Sequence, residues 1–448
     1  MTQEILFKKK NFYTYNRTEK STSLVYYPKS INEIQYLIKK IFKKKKFLIR
    51  TGKCGHGDKS ILSSSNLTLS LSRLKKIVKL DKKKGKVTVQ SGILLIDLVE
   101  YLKRNGFFIY NIPGGKSVSL GGAISANVHG RFSTKKFVNF GDNLLSIKIL
   151  NQNNKIIKIS KNNKLFYKVI GGQSLYGTIL EATLLLQKIK TDKYVEESFF
   201  LKNKNEFFKF NKKHEKYFGY INIFKKNNFI ANTKIIKPLG DFHKISKTNT
   251  KIPRDFNIPN FMSFFVNNLS LRILYFYLFT IKEKIFSKKV KIINFEKSIY
   301  VSNFINTIPS FFKKGFLEMQ FSVSEKNLMN LVKKLKDLFH ERRVFPVFFI
   351  IKKMHSSKKK YIFNFPKYTF SFSLGFSKKN YYENRDMFRS IYKLIDLYNC
   401  NIYVPKDEIF IENFDKKILK KKYLKGFDLK NKSNTSSNFN EKILRKYR

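Results

Sequence analysis

The spacing of apolar positions divides the chain into two stretches of different character. In the first 190 residues, short alternating runs are separated by glycine. Ile31, Ile34, Leu37, Ile38 and Ile41 form one stripe at helical spacing behind Ser30, which predicts a helix capped by that serine. FLIR (47–50) reads as a short buried strand, NLTLSLS (66–72) as a strand with strict two-residue alternation, and KVTVQSG (86–92) as another. LLIDLVEYLKRNG predicts a helix that ends at Gly106. LLSIKIL and KIIKIS predict two strands joined by a polar turn at Asn151 to Asn154, and GGQSLYGTILEATLLL (171–186) leads from glycines into a further apolar strand. The pattern is α+β.

From about 191 to 400 glycine becomes sparse and long aromatic segments take over. QFSVSEKNLMNLVKKLKDLF (320–339) predicts a strand followed by an amphipathic helix. FMSFFVNNLSLRILYFYLFTI (261–281) has the length of a membrane span, but Asn267, Asn268 and Arg272 sit mid-span, where amide and charged groups are costly. An aromatic helix that packs on its domain or dips into a lipid surface is therefore expected. The final residues, NKSNTSSNFNEKILRKYR, are polar and then weakly helical, and no internal repeat is present.

Composition changes this picture in two ways. Two cysteines, Cys54 and Cys400, are too few for a disulfide scaffold, and the N-terminus lacks the layout of a signal peptide, so a cytoplasmic location is expected. The formal charge of +60 would suggest a polyanionic partner, but only 13 of the 91 basic residues are arginine. Lysine, asparagine, isoleucine, phenylalanine and tyrosine, which share A/T-rich codons, are all abundant, and lysine runs such as 43–46 are scattered along the chain. Solvated surface accounts for the charge better than a nucleic-acid site does, so no nucleic-acid partner is expected. A net basic surface still favours contact with anionic lipid.

The candidate chemistry centres on IPGGKSVSLGGAISANVHG (112–130). Its GGKS mimics the end of a phosphate-binding P-loop, but Tyr110 stands where the first glycine belongs, and the run VSLGGAIS reads as non-helical where a P-loop opens a helix. The six histidines show no metal-ligand spacing, and no GxSxG elbow or GxGxxG fingerprint occurs. What remains are three glycine clusters, at 52–57, 114–122 and 171–177. Glycine lets backbone N–H groups approach a ligand closely, so these loops could converge on a pyrophosphate.

The order LIRTGKCGHGD, VTVQSG, LVEYL, IPGGKSVSLGGAISANVHG, NFGDNLLSIKIL and LFYKVIGGQSLYGTILEATLLL resembles the FAD-binding domain of the vanillyl-alcohol oxidase and p-cresol methylhydroxylase (PCMH) superfamily. The resemblance implies a two-part FAD-binding domain with an inserted α+β substrate domain built on an antiparallel sheet. The divisions would be 1–190 for FAD, 191–400 for substrate, and 401–448 as a segment returning to the first domain. It places Gly52, Lys53, Cys54, Gly55, Gly115, Lys116, Ser117, Val118, Gly121, Gly122 and Ile179 along the cofactor. Noncovalent FAD is favoured, with covalent attachment through His56 as the alternative.

Within the superfamily, FLEMQFSVS (316–324) and NIYVPKDE (401–408) are most similar to the decaprenylphosphoryl-ribose 2-oxidases, which perform the oxidising half of an epimerisation in cell-envelope glycan synthesis. That likeness implies an active site of His129 near flavin and sugar, Gln320 bonded to substrate, Lys352 meeting the phosphate or sugar, and Lys406 stabilising the anionic reduced flavin. Ser371 stands where that branch has a cysteine. The implied partners are a lipid-linked sugar, a short-chain reductase that completes the epimerisation, and peripheral contact with the inner membrane. The alternatives are an aldonolactone or alditol oxidase of the same superfamily and a non-enzymatic polyanion-binding protein.

Overall fold

The computed structural model describes residues 7–40, 47–52, 67–115, 117–131, 133–151, 153–239, 267–281, 288–300, 312, 315–359, 361, 367–407 and 409–413. The first sheet holds β1 (Lys8–Tyr13), β2 (Lys20–Tyr26), β3 (Leu48–Arg50) and β4 (Leu67–Ser70) in the order β1-β2-β4-β3, with β4 parallel to β2 and β3. The helix Ile31–Lys40 buries Ile34 and Leu37, which share a small core with Phe47, Leu69 and Leu71. This is the stripe expected from the sequence.

The second sheet orders β5 (Ile77–Asp81), β6 (Lys86–Gln90), β8 (Leu144–Leu150), β9 (Ile156–Ser160) and β10 (Thr178–Leu185) as β5-β6-β10-β8-β9. β7 (Phe107–Phe108) and β11 (Gln187–Lys188) form a separate two-residue ladder. Leu95, Leu98, Val99 and Leu102 of the helix Leu95–Arg104 share a core with Val87, Val89, Ile147 and Ala182 of this sheet.

The third sheet is wholly antiparallel and has eight strands: β12 (Lys193–Leu201), β13 (Tyr217–Ile221), β14 (Ala231–Pro238), β15 (Lys288–Asn294), β16 (Phe316–Val323), β17 (Phe348–Lys353), β18 (Phe370–Ser377) and β19 (Asn401–Ile402). Their order is β15-β12-β14-β13-β17-β18-β16-β19. The change of composition near 190 therefore coincides with the start of a new sheet. At the other end, Asn401 and Ile402 pair with β16, so the second unit holds the first two residues of the expected returning segment.

Alternation sorts this sheet into two faces. Leu317, Met319, Phe321 and Val323 of β16, with Phe370, Phe372, Leu374 and Phe376 of β18, are buried in one core with Leu328, Leu331, Leu335 and Phe339 of the helix Glu325–Arg342 and Phe388, Ile391 and Ile395 of the helix Arg385–Leu397. The intervening residues Glu318, Gln320, Ser322, Ser371 and Ser373 therefore project from the opposite face. Each buried large apolar side chain contributes about 1.5–3 kcal/mol, so a one-residue slip of β16 alone would forfeit roughly 6–12 kcal/mol. The register that presents the polar face is fixed by the apolar one.

One element differs from expectation. LGGAIS is a short helix, Leu120–Ser125, despite its two glycines. Ser119 caps it by accepting from the Gly122 N–H, and burial of Leu120, Ala123 and Ile124 outweighs the weak helix propensity of glycine. In the 261–281 stretch, Asn267 likewise serves as a cap: its Oδ1 accepts from Ser270 N–H, and Ser270 Oγ accepts from Asn267 N–H, each at 3.0 Å. The helix Asn268–Phe276 starts there and continues as a wider π turn, Tyr277–Ile281. Among the described residues, no helix is long and apolar enough to cross a membrane.

The face assignment predicts that Leu374→Ala costs about 2–5 kcal/mol in chemical denaturation, while the adjacent Ser373→Ala costs under about 1 kcal/mol. Equal losses would contradict it.

Candidate active site

The loop that carries His129 is held by buried amides. Asn111 and Asn127 adopt left-handed backbone conformations, with φ of 60° and 43°. Asn111 Nδ2 donates to Phe137 O at 2.8 Å, and Asn127 Oδ1 accepts from Gly141 N–H at 3.0 Å. Asp142 accepts from the Val138 and Asn139 N–H groups at 2.7 and 2.9 Å, and from Lys359 Nζ and the Tyr361 hydroxyl at 2.6 and 2.8 Å. The motifs NVHG and NFGDN are thus pinned to each other. A Cβ on Gly130 would lie 2.3 Å from Ile112 O, so the chain passes beside His129 only with glycine there.

His129 is buried, and its Nε2 meets Gln320 Oε1 at 3.2 Å. The amide oxygen accepts, so Nε2 carries the proton. Burial, reinforced by Lys352 and Lys406, drives the His129 pKa well below the usual range, and the ring is neutral at pH 7. The Tyr403 ring meets it edge-on with centroids 5.2 Å apart. Tyr403 then ties three segments together: its N–H donates to Gln320 O at 2.7 Å, and its hydroxyl donates to Ala126 O at 2.9 Å.

The cations come from the sheet and from the turn after β19. Lys352 in β17 lies opposite Ser371 in β18, which in turn lies opposite Ser322 in β16. Its ammonium is pushed down to about 7, first by burial and then by Lys406, with Glu318 acting in the opposite direction and Arg131 adding to the fall. Lys406 Nζ pairs with Glu318 Oε1 at 2.7 Å, and Glu318 is almost fully buried. The Arg131 guanidinium, two residues from His129, stacks over the Phe218 ring at 4.5 Å. Among the described residues, Gln320 Nε2, Ser322 Oγ and Ser371 Oγ have no hydrogen-bond partner although they are buried. Buried donors of this kind are costly unless something meets them, so the polar face is built to receive a ligand rich in oxygen or nitrogen.

His129, Gln320, Lys352 and Lys406 therefore come together from four separate parts of the chain. Sequence reasoning missed four neighbours. Glu318 and Ser322 were legible as alternate positions of FLEMQFSV beside Gln320, and Tyr403 lies within the quoted NIYVPKDE; Arg131 had no distinguishing signal.

The expected cofactor residues gather around the helix Leu120–Ser125. Gly52 lies two residues after β3, and a Cβ on it would lie 2.6 Å from Ser119 Oγ. A Cβ on Gly121 would lie 2.7 Å from Thr51 Cγ2, so glycine at both positions lets the segment and the helix start touch. Ser119 Oγ donates to Thr51 Oγ1 at 3.1 Å. The amides of Gly121 and Gly122 are turned inward, to Ser91 O at 2.8 Å and Ser119 Oγ at 3.2 Å, so these glycines provide close approach and their N–H groups are already engaged. Val118 accepts from Leu95 N–H at 2.8 Å. Gly115 and Ser117 are half-buried in the preceding loop, and Ile179 is buried in β10 opposite Ile149. The third glycine cluster closes the other end of the helix, where Gly171 N–H donates to Ile124 O and Gln173 N–H to Ser125 O. Gly52, Gly121, Gly122 and Gly171, one or more from each cluster, thus meet at one short helix. Lys53, Cys54, Gly55, His56 and Lys116 lie outside the described residues.

This arrangement is that of a flavin-binding fold. Residues 22–160 match the FAD binding domain family. The match takes in Gly52, the helix Leu120–Ser125 and His129. The backbone cradle and the unpartnered polar groups fit FAD as the cofactor.

Among particular proteins, the chain is similar to decaprenylphosphoryl-β-D-ribose oxidase of Mycolicibacterium smegmatis, with 25% identity over 30% of this chain and 30% of that one. It is also similar to L-gulonolactone oxidase of Scyliorhinus torazame, with 32% identity over 24% of each chain. The matched stretches thus span less than a third of these curated relatives. The solved structure of cholesterol oxidase from Brevibacterium sterolicum shares the fold at a TM-score of 0.72 and 12% identity, over 99% of this chain and 98% of that one. A berberine-bridge-enzyme-like protein of Physcomitrella patens does so at 0.63 and 15% identity, over 94% and 92%.

If the contact between Thr51 and Gly121 shapes the cofactor cradle, Gly121→Val lowers the flavin-to-protein absorbance ratio several-fold while far-ultraviolet circular dichroism is retained. An unchanged ratio would contradict the placement.

Proposed function

We propose that this chain is an FAD-dependent oxidoreductase that oxidises a secondary alcohol of a sugar, the 2-hydroxyl of a polyprenyl-phosphate ribose. The observation that carries the reading is the convergence of His129, Gln320, Lys352 and Lys406 on the polar face of the third sheet, beside the FAD-binding unit. Bound FAD supplies the acceptor for the hydride that leaves the carbinol carbon.

The residues of the chain hold the alcohol and manage its proton. Lys352, whose ammonium titrates near 7, takes the hydroxyl proton on Nζ as the alcohol is oxidised. This adds a proton-accepting role to the expectation that Lys352 meets the phosphate or sugar. Gln320 Nε2 and Ser371 Oγ are free to bond sugar oxygens, and neutral His129 fixes the Gln320 amide in orientation. Lys406 and Arg131 keep the pocket positive, which suits a phosphorylated substrate and stabilises negative charge on the reduced cofactor. In this reading a short-chain reductase completes the epimerisation, the protein contacts the inner membrane peripherally, and nucleic acid is not a partner.

The likeness to L-gulonolactone oxidase supports a second reading, oxidation of a small soluble aldonolactone or alditol. A visible spectrum taken before and after acid precipitation begins to separate the two. Flavin released into the supernatant, with anaerobic bleaching by lipid-phosphate pentose, supports the first. Flavin retained in the pellet, with bleaching by lactones, supports the second with His56 as the attachment point. Protein that purifies and reconstitutes without flavin would refute both.

Lys352 gives a pH prediction with a definite sign. Its protonated form cannot accept a proton, so the rate of flavin reduction rises with pH through a limb near 7. Lys352→Met should retain flavin and lose that limb along with most of the rate; a limb that persists would refute the assignment. Lys406→Ala should likewise retain FAD but abolish flavin reduction, measured by stopped-flow absorbance.

A further inference from the structure

The helix Asn268–Phe276 and its continuation to Ile281 carry an apolar stripe that nothing among the described residues covers. Leu271, Tyr275 and Phe279 face inward and are buried, the last two in the core of the third sheet. Tyr275 stacks on Phe279 with ring planes 11° apart, and its hydroxyl accepts from Phe349 N–H at 3.2 Å, so the element is firmly seated. The outward residues are also apolar: Leu269 is 68% exposed, Ile273 61%, Phe276 58% and Tyr277 45%. A surface helix normally turns charge outward, so a two-sided apolar helix marks a surface with a partner.

The surroundings of the stripe indicate which partner. Arg272 projects from the same helix and stacks over Phe224 at 5.4 Å, beside exposed Lys225 and Lys226. At the helix start, Asn268 Nδ2 donates to Arg343 O at 3.1 Å, which brings Arg343 and its neighbour Arg342 alongside. Beside them, Glu341 pairs with Arg342 at 3.4 Å. An apolar stripe containing Phe and Tyr at its centre, bordered by cations that form no ion pair among the described residues, has the layout of an interfacial helix lying in the headgroup region of an anionic bilayer.

We propose that residues 269–281 form the membrane-docking surface of this protein, with Leu269, Ile273, Phe276 and Tyr277 entering the lipid and Arg272, Arg343, Lys225 and Lys226 meeting anionic headgroups. The assignment rests on the membrane contact proposed above, while its test needs neither sugar nor redox turnover. Failure of either reading is therefore visible separately. The surface lies on the helix-covered side of the sheet, away from the polar face.

A protein with no native tryptophan allows a direct test. In FAD-loaded Phe276→Trp, adding phosphatidylglycerol vesicles should shift the indole emission to the blue and make it quenchable by brominated lipid. Phosphatidylcholine vesicles should do so at least about tenfold more weakly. Leu397→Trp, at a position 74% exposed on the helix Arg385–Leu397, should not shift. Adding Ile273→Ser to the Phe276→Trp protein should abolish most of the shift. An indole that stays solvent-exposed on anionic vesicles would overturn the proposal, since binding would then be electrostatic at other lysines. So would a blue shift that depends on protein concentration and is matched by dimer in sedimentation, because a second copy would then cover the stripe.

Discussion

The hydrogen bond between His129 and Gln320 is the contact on which the functional geometry depends. It joins a loop of the FAD-binding unit to β16 of the third sheet, and both partners are buried. Its position is over-determined from both sides. Buried asparagines and Asp142 hold the His129 loop, and four apolar side chains on the opposite face fix the register of β16. Tyr403 locks the junction by bonding Gln320 through its backbone and Ala126 through its hydroxyl. The turn bearing Lys406 follows three residues later. Displacement of that one contact would disturb the histidine, the amide and the lysine together.

Charge gives this junction its chemical character. Lys352, Lys406 and Arg131 are close enough to influence one another, with Glu318 as a partly compensating acid. Three cations and one carboxylate in a sheltered site cannot all hold their usual protonation states. The strain falls on Lys352, which approaches neutrality near pH 7, and on His129, which stays neutral. A site of net positive character with one amine able to take a proton suits removal of a proton and a hydride from an alcohol better than it suits passive anion binding. The cations that matter are those held on a buried polar face.

Much of this was legible in the sequence because it follows from periodicity. The strands KVTVQ, LLSIKIL and FLEMQFSV alternate cleanly, and the helices after Ser30, Leu94 and Ser324 show their buried stripes. The glycines near 52, 114–122 and 171–177 were legible as close-approach positions, and Gly52, Gly121, Gly122 and Gly171 do meet at the helix Leu120–Ser125. That helix itself was hidden because its two glycines read as loop, and a serine cap and tertiary burial outweigh propensity over six residues. Arg131 and the pairing of Glu318 with Lys406 were hidden for a different reason. They arise from strand neighbours and loops far apart in sequence, which no local pattern encodes. The reading of Gly121 and Gly122 as amide donors was natural from composition, yet both N–H groups are engaged within the protein.

The central claim is that the flavin ring reacts at the junction of the His129 loop with the polar face of β16, β17 and β18. A crystal structure of the FAD-loaded protein tests it most directly. The account predicts the isoalloxazine ring against His129 and Lys406, with Gln320 and Lys352 facing the same cavity. A ring seated elsewhere, with these four side chains remote from it, would contradict the account.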